Sequence, residues 1–216
     1  MVTVRRLSFA DLRLLDPAAS EWRSVPQEAL PLQPTPLIAQ PSAYVQASWQ
    51  DRPHGVVASV TVQAAHDGSE LFFRLSWQDE TKDDGISDTD RFTDAAAVLF
   101  PAKGGDAPLT SMGSPQQPVY GWYWRPDFEQ PIAVTAQGTG TTVRHQNGGL
   151  RAQASFEDGG WTVVLARRLS SHSSDVAALL PGKTGKVAFA VWQGANSERG
   201  GLKAVTMEWQ PLEIEG

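Results

Sequence analysis

Two loops of this 216-residue chain stand outside its regular patterns, and the first carries a side chain suited to holding a soft metal. The first reads Ser111-Met112-Gly113-Ser114-Pro115-Gln116-Gln117-Pro118 and runs into Tyr120, Trp122, Tyr123, Trp124 and Arg125. Methionine ordinarily fills gaps in a core, and Met207, alternating with Val205 and Trp209, fits that role. Met112 belongs to no alternating pattern, and a thioether in a Gly/Pro loop beside aromatic rings reads as a soft ligand. The second loop, Trp192-Gln193-Gly194-Ala195-Asn196-Ser197-Glu198-Arg199-Gly200-Gly201-Leu202-Lys203, joins two apolar segments. Lys203 stands where the chain re-enters a strand. A lone lysine there is ordinarily an exposed charge that blunts an edge.

Other chemistries lack their residues. The chain has no cysteine, which excludes disulfides, thiolate zinc sites, iron–sulfur clusters and haem attached through Cys. His54, His66, His145 and His172 show no metal-binding spacing and sit in polar, turn-like contexts, where solvated loop positions are expected. No Gly-x-Ser-x-Gly elbow and no glycine-rich phosphate loop occur. Asp79, Glu80, Asp83, Asp84, Asp88 and Asp90 lack the order of an EF-hand loop and read as a solvated acidic stretch. With 18 Lys+Arg against 24 Asp+Glu the net charge is −6, and no basic run offers nucleic acid or an anionic membrane a binding face. No run approaches the roughly 18 apolar residues of a membrane span, and the first residues lack a secretory leader pattern.

The elements that must position these loops read as strands. Prolines 17, 26, 31, 34, 36, 41 and 53 mark residues 1–53 as an extended strap, barred from helix or central strand between Asp16 and Pro53 and pinned by Trp22, Leu32 and Leu37. In Glu70–Gln78, residues Leu71, Phe73, Leu75 and Trp77 share one face, after a turn at Asp67-Gly68. Further strands are expected at 95–100, 119–124, 132–136, 150–156, 161–166, 186–192 and 204–209, and one short helix at 170–180. Short strands with regular turns and no βαβ alternation predict an all-β, antiparallel sandwich with at most one or two short helices. We expect a single domain over 1–216, its sandwich core spanning 54–216.

Taken in order, these segments resemble the haem b-binding gamma subunits of the ethylbenzene dehydrogenase, dimethylsulfide dehydrogenase, selenate reductase and chlorate reductase family. The resemblance rests on Leu15-Asp16-Pro17 with Trp22, Asp67 through Asp79, Phe92 through Pro101, and Met112-Gly113 with Trp122-Tyr123-Trp124. It continues through Gly160 to Val164 with Arg168-Leu169, and Phe189 through Gly194 with Glu198-Arg199-Gly200-Gly201.

The resemblance implies one non-covalent haem b held between axial Met112 and Lys203, with Lys183 and Lys186 as alternatives for the lysine. Tyr120, Trp122 and Trp124 would wall the porphyrin, and Arg125 or Arg199 would pair with its propionates. It also implies an electron-transfer subunit, itself non-catalytic. Its partners would be a molybdenum catalytic subunit and an iron–sulfur subunit in a heterotrimer, and a soluble cytochrome, in the periplasm. A free-standing haem carrier would use the same ligands. The alternative from another class is a carbohydrate-binding sandwich without haem, in which eight Trp serve as stacking platforms.

Overall fold

Leu71, Phe73, Leu75 and Trp77 all enter the main core, as their alternation demands, while Phe72 faces the other way. The computed structural model describes residues 1–7, 13–86, 91–145, 148–169 and 179–216. In chain order the strands are β1 (Val2–Arg6), β2 (Glu28–Pro31), β3 (Gln33–Pro34), β4 (Ser59–His66), β5 (Glu70–Gln78), β6 (Ala95–Pro101) and β7 (Val119–Trp124). They continue as β8 (Ile132–Ala136), β9 (Val143–His145), β10 (Arg151–Glu157), β11 (Gly160–Arg168), β12 (Thr184–Trp192), β13 (Ala204–Val205) and β14 (Gln210–Ile214). One α-helix, α1 (Ala43–Trp49), and two short 3-10 turns complete the described elements.

The strands run in the order β10-β11-β5-β4-β1-β14-β12-β6-β7-β8-β9, and β12 is the hinge of this path. Its first half, Thr184 to Val187, pairs with β14, and its second half, Ala188 to Trp192, pairs with β6. The path therefore folds into two layers sharing β12. The interior is filled from one layer by Val62, Phe73, Leu75, Val163 and Leu165, and from the other by Val98, Phe100, Trp122 and Phe189. This is an all-β sandwich with one short α-helix. The pairing is antiparallel except at β1, which lies parallel to both β14 and β4.

The proline-rich strap differs from expectation. It contains α1, which lies between Pro41 and Pro53 and holds no proline of its own, so every interior amide remains a donor. Ser42 caps it, its hydroxyl accepting from the Val45 amide at 3.4 Å. Strand β2 pairs with β4. Trp22 and Leu32 are buried as pins; Leu37 is half-buried. The expected strand 204–209 stops at Val205 and resumes as β14. The helix expected at 170–180 falls mostly outside the described residues. No described helix is long and apolar enough to cross a membrane.

Candidate functional site

Strand parity determines where the lysine loop delivers its side chain. On the outer face of the second layer lie Ala95, Ala97 and Leu99 of β6, Val119 of β7, Ala188, Ala190 and Trp192 of β12, and Val205 of β13. Lys203 stands two residues before Val205 and shares its side of the chain. It is 3% exposed, and its Nζ donates to Met112 Sδ at 3.2 Å across a sequence separation of 91. The Trp192 ring lies under the amine, 5.1 Å from Nζ to centroid. No carboxylate forms an ion pair with Lys203 among the described residues. Burial alone pushes this amine down from 10.5 to about 8.

Met112 is held in a conformation that L-residues rarely adopt, with φ +58°. Its amide donates to Leu109 O at 3.0 Å, the following Gly113 amide to Pro108 O at 2.8 Å, and Gly138 N donates to Met112 O at 3.1 Å. Gly113 itself has φ +87°, and a Cβ there would stand 2.9 Å from Ala136 O, Gln117 O and Val119 N. Only glycine closes this turn, and the closed turn packs the Met112 thioether against the outer apolar cluster.

The other sequence-derived site residues separate into those near this pair and those away from it. Tyr120, Trp122 and Trp124 belong to the interior core, on the opposite face of β7 from the Met112 cluster. The aromatics on the Met112 side include Tyr123, Trp192 and Trp209, the first two packed edge to face at 5.3 Å. Burial raises the Tyr123 phenol to about 12. Arg125 is engaged by Asp127 at 2.8 and 2.6 Å. Arg199 is exposed, with its guanidinium 4.2 Å over the Phe92 ring. Lys183 is exposed and Lys186 pairs with Asp106, so neither is placed as Lys203 is.

The lysine loop is anchored by buried carboxylates that read as solvated or went unremarked in the sequence. Asp94 accepts from Gly194 N at 2.9 Å, Trp161 Nε1 at 2.8 Å and Asp83 N at 2.9 Å. Glu198 accepts from Val56 N, Gln193 N and Asn196 Nδ2. Asp79 is buried as well, contrary to the solvated reading, and accepts from Gln193 Nε2 at 3.1 Å. His66 is another correction. It is fully buried at the end of β4, its Nε2 2.9 Å from Glu215 O, and burial lowers its pKa. His145 is exposed. His172, Asp88 and Asp90 lie outside the described residues. Among those described, no group of three or more His, Cys, Asp or Glu is placed to hold a metal ion.

Comparisons with known proteins separate the fold from the family. Solved structures similar to this one show the scaffold. The chain is similar to a family 9 carbohydrate-binding module of Caldicellulosiruptor kristjanssonii, solved with glucose, at TM-score 0.55 and 10% identity over 100% of this chain and 95% of that one. It is also similar to a Bacteroides uniformis protein described as carbohydrate-binding, at TM-score 0.60 and 11% identity over 99% and 98%. Such identities speak for the fold alone. Sequence relatives are much nearer. The chain is 37% identical to the chlorate reductase gamma subunit of Ideonella dechloratans over 98% of this chain and 84% of that protein. It is 36% identical, over 89% of its length, to a Haloferax mediterranei protein assigned as a respiratory nitrate reductase haem subunit, and spans 66% of that protein. With the dimethylsulfide dehydrogenase gamma subunit of Rhodovulum sulfidophilum it shares 29% identity over 90% of this chain and 73% of that protein. The family model described as ethylbenzene dehydrogenase matches residues 19–151 and 143–204, and the chain belongs to that family, among its gamma subunits.

Proposed function

We propose that this chain binds one non-covalent haem b between Met112 and Lys203 and serves as the electron-transfer subunit of a molybdenum oxidoreductase. The observation that carries the proposal is the buried Lys203 amine facing the Met112 sulfur at 3.2 Å. The donor set fits the group. A thioether is a soft, neutral ligand, and an amine binds a metal only after losing its proton. Burial lowers Lys203 from the usual lysine value to about 8, in the direction that favours the neutral amine. A buried amine whose one hydrogen-bond partner among the described residues is a sulfur is costly in a protein that uses it for nothing.

Bound there and held by Met112 and Lys203, the iron porphyrin would supply one-electron transfer. The chain's own residues hold and shield it. The strained turn fixes the sulfur, and the lysine loop presents the amine. Tyr123 and Trp192, on the Met112 side of the sheet, take the walling role assigned by resemblance to Tyr120, Trp122 and Trp124. Arg199, unpaired with any carboxylate among the described residues, remains available to a propionate, whereas Arg125 is committed to Asp127.

The relatives' names place such subunits in chlorate reductase, dimethylsulfide dehydrogenase and nitrate reductase. By that kinship the partners of this chain are a molybdenum catalytic subunit and an iron–sulfur subunit. A soluble cytochrome exchanges electrons with the complex in the periplasm. Substrate selectivity then lies in another subunit. The carbohydrate-binding alternative keeps only the shared scaffold.

The test is the absorption spectrum of the purified chain, oxidised and reduced. We expect a low-spin haem spectrum from the wild type. Met112→Ala and Lys203→Ala should each fold and gain a high-spin component. A chain that cannot be loaded with haem removes the proposal. A Met112→Ala spectrum identical to wild type removes Met112 from the site.

A further inference from the structure

The backbone that carries Lys203 is held by the proline-rich strap. Strand β3 pairs with β13, placing Pro34 beside Ala204 and Gln33 beside Val205. The next strap residue, Thr35, donates its amide to Lys203 O at 3.1 Å. Its hydroxyl donates to Gly201 O at 2.5 Å. Gln40 Nε2 donates to that same carbonyl at 3.0 Å. Thr35 and Gln40 are 4% and 6% exposed. Gln40 packs so closely on Gly201 that a Cβ there would collide with its carboxamide, which explains a glycine at this position.

Two features make this more than coverage of apolar surface. A strap that only shielded a core would bury aliphatic groups, yet here two polar side chains are buried with donors aimed at one carbonyl two residues before Lys203. That carbonyl lies outside β13 and has no strand to satisfy it, so the strap supplies what the fold leaves open. The Met112 turn is secured separately, by Gly138 N on Met112 O and Thr139 Oγ1 on Ser111 O.

We propose that Thr35 and Gln40 are positioning residues for the Lys203 ligand: by clamping Gly201 O they fix the direction in which the amine leaves the backbone. The inference rests on Lys203 being an axial ligand. Neither residue hydrogen-bonds to the sulfur or the amine; both act through the backbone, at Gly201 O and, for Thr35, also at Lys203 O.

The test uses the full chain loaded with haem b, reading the fraction of high-spin haem and the rate at which haem is lost to excess apomyoglobin. Thr35→Val keeps the side chain's shape and removes the hydroxyl donor. It should add a high-spin component and speed haem loss about tenfold, the scale of one lost buried hydrogen bond. Thr35→Ser should restore both readings. Gln40→Met, which removes the other donor to Gly201 O, gives an independent reading if Thr35→Val does not fold. Both variants matching wild type, while Lys203→Ala is altered, overturns the positioning role and leaves the ligand in place. Lys203→Ala matching wild type overturns the ligand assignment, and this inference with it.

Discussion

The two faces of the second layer use the same strands for opposite purposes. On the inner face Phe100, Trp122 and Phe189 cluster with Phe73 of the facing layer, ring centroids 5.2 to 6.1 Å apart. Trp122 Nε1 there is buried with no partner among the described residues, and the neighbouring Tyr120 hydroxyl accepts from Arg167 Nη1 at 2.9 Å. On the outer face four alanines floor the sheet, and above them lie a methionine in left-handed backbone and a buried amine. The inner arrangement maximises contact. The outer one retains strain and an under-satisfied polar group, both of which lower stability.

The largest effect should come from the face with no ligand role. Trp122→Ala empties a site of zero exposure and should cost about 3–5 kcal/mol, read from the midpoint of chemical denaturation. Trp122→Phe should recover much of that, because it keeps a ring and removes an indole N–H that has no acceptor. Neither substitution should shift the haem spectrum of the folded fraction. A ligand-state change in Trp122→Phe would mean that the two faces are not separable and that the inner aromatics take part in the site.

The separation of faces explains what the sequence could and could not reveal. Strands 70–78, 119–124 and 132–136 were legible to the residue, because alternation against turn residues gives strong period-2 signals. In Tyr120-Gly121-Trp122-Tyr123-Trp124 aromatics occupy both parities, so only the partner strands decide that Trp122 faces the core and Tyr123 the Met112 cluster. Strands β1 and β14 were missed because each is short, β14 carries Pro211, and they pair with each other in parallel from opposite ends of the chain. Helix α1 was missed because prolines at 41 and 53 made the whole stretch look extended, although proline restricts its own position and its near neighbours. The meeting of Met112 with Lys203 across 91 residues is a product of topology. So is the strap's clamp on Gly201, 166 residues from Thr35.

A second, smaller effect contrasts two buried ionisable groups. Asp94 is fully buried, and burial raises its carboxyl from 3.8 to about 7, with the nearby Asp79 charge adding to this and its three N–H donors opposing it. Its folded-state pKa lies above its unfolded value, so between about pH 4 and 7 the native state holds a proton that the unfolded chain releases. The stability from this group is therefore present at low pH and lost as pH rises through 7. His66 works in the opposite sense: burial lowers its pKa, so its contribution is present above pH 6.5 and lost as pH falls. The comparison of wild type with Asp94→Asn isolates the carboxyl. The wild-type denaturation midpoint should fall between pH 5 and 8 by more than that of the variant. Parallel profiles would show that Asp94 stays ionised throughout this range and that its three donors outweigh burial.

The smallest expected change distinguishes the outer face most directly from the inner one. In the haem-free chain Lys203 contributes a buried amine whose hydrogen bond is to a sulfur, a weak acceptor. Lys203→Met places an unbranched apolar side chain of similar length in the same space. It should leave the haem-free fold unchanged or raise its stability by about 1 kcal/mol, the low end of the cost of a poorly satisfied buried polar group. Haem-loaded protein should show the reverse, because the amine ligand is gone. Unfolding curves of both forms at one pH read the two effects side by side. If Lys203→Met destabilises the haem-free chain as Trp122→Ala does, Lys203 is a structural element of the outer face and the contrast between the two faces fails. If it stabilises the empty chain and weakens the loaded one, the amine is held at a cost to the fold for the sake of what it binds.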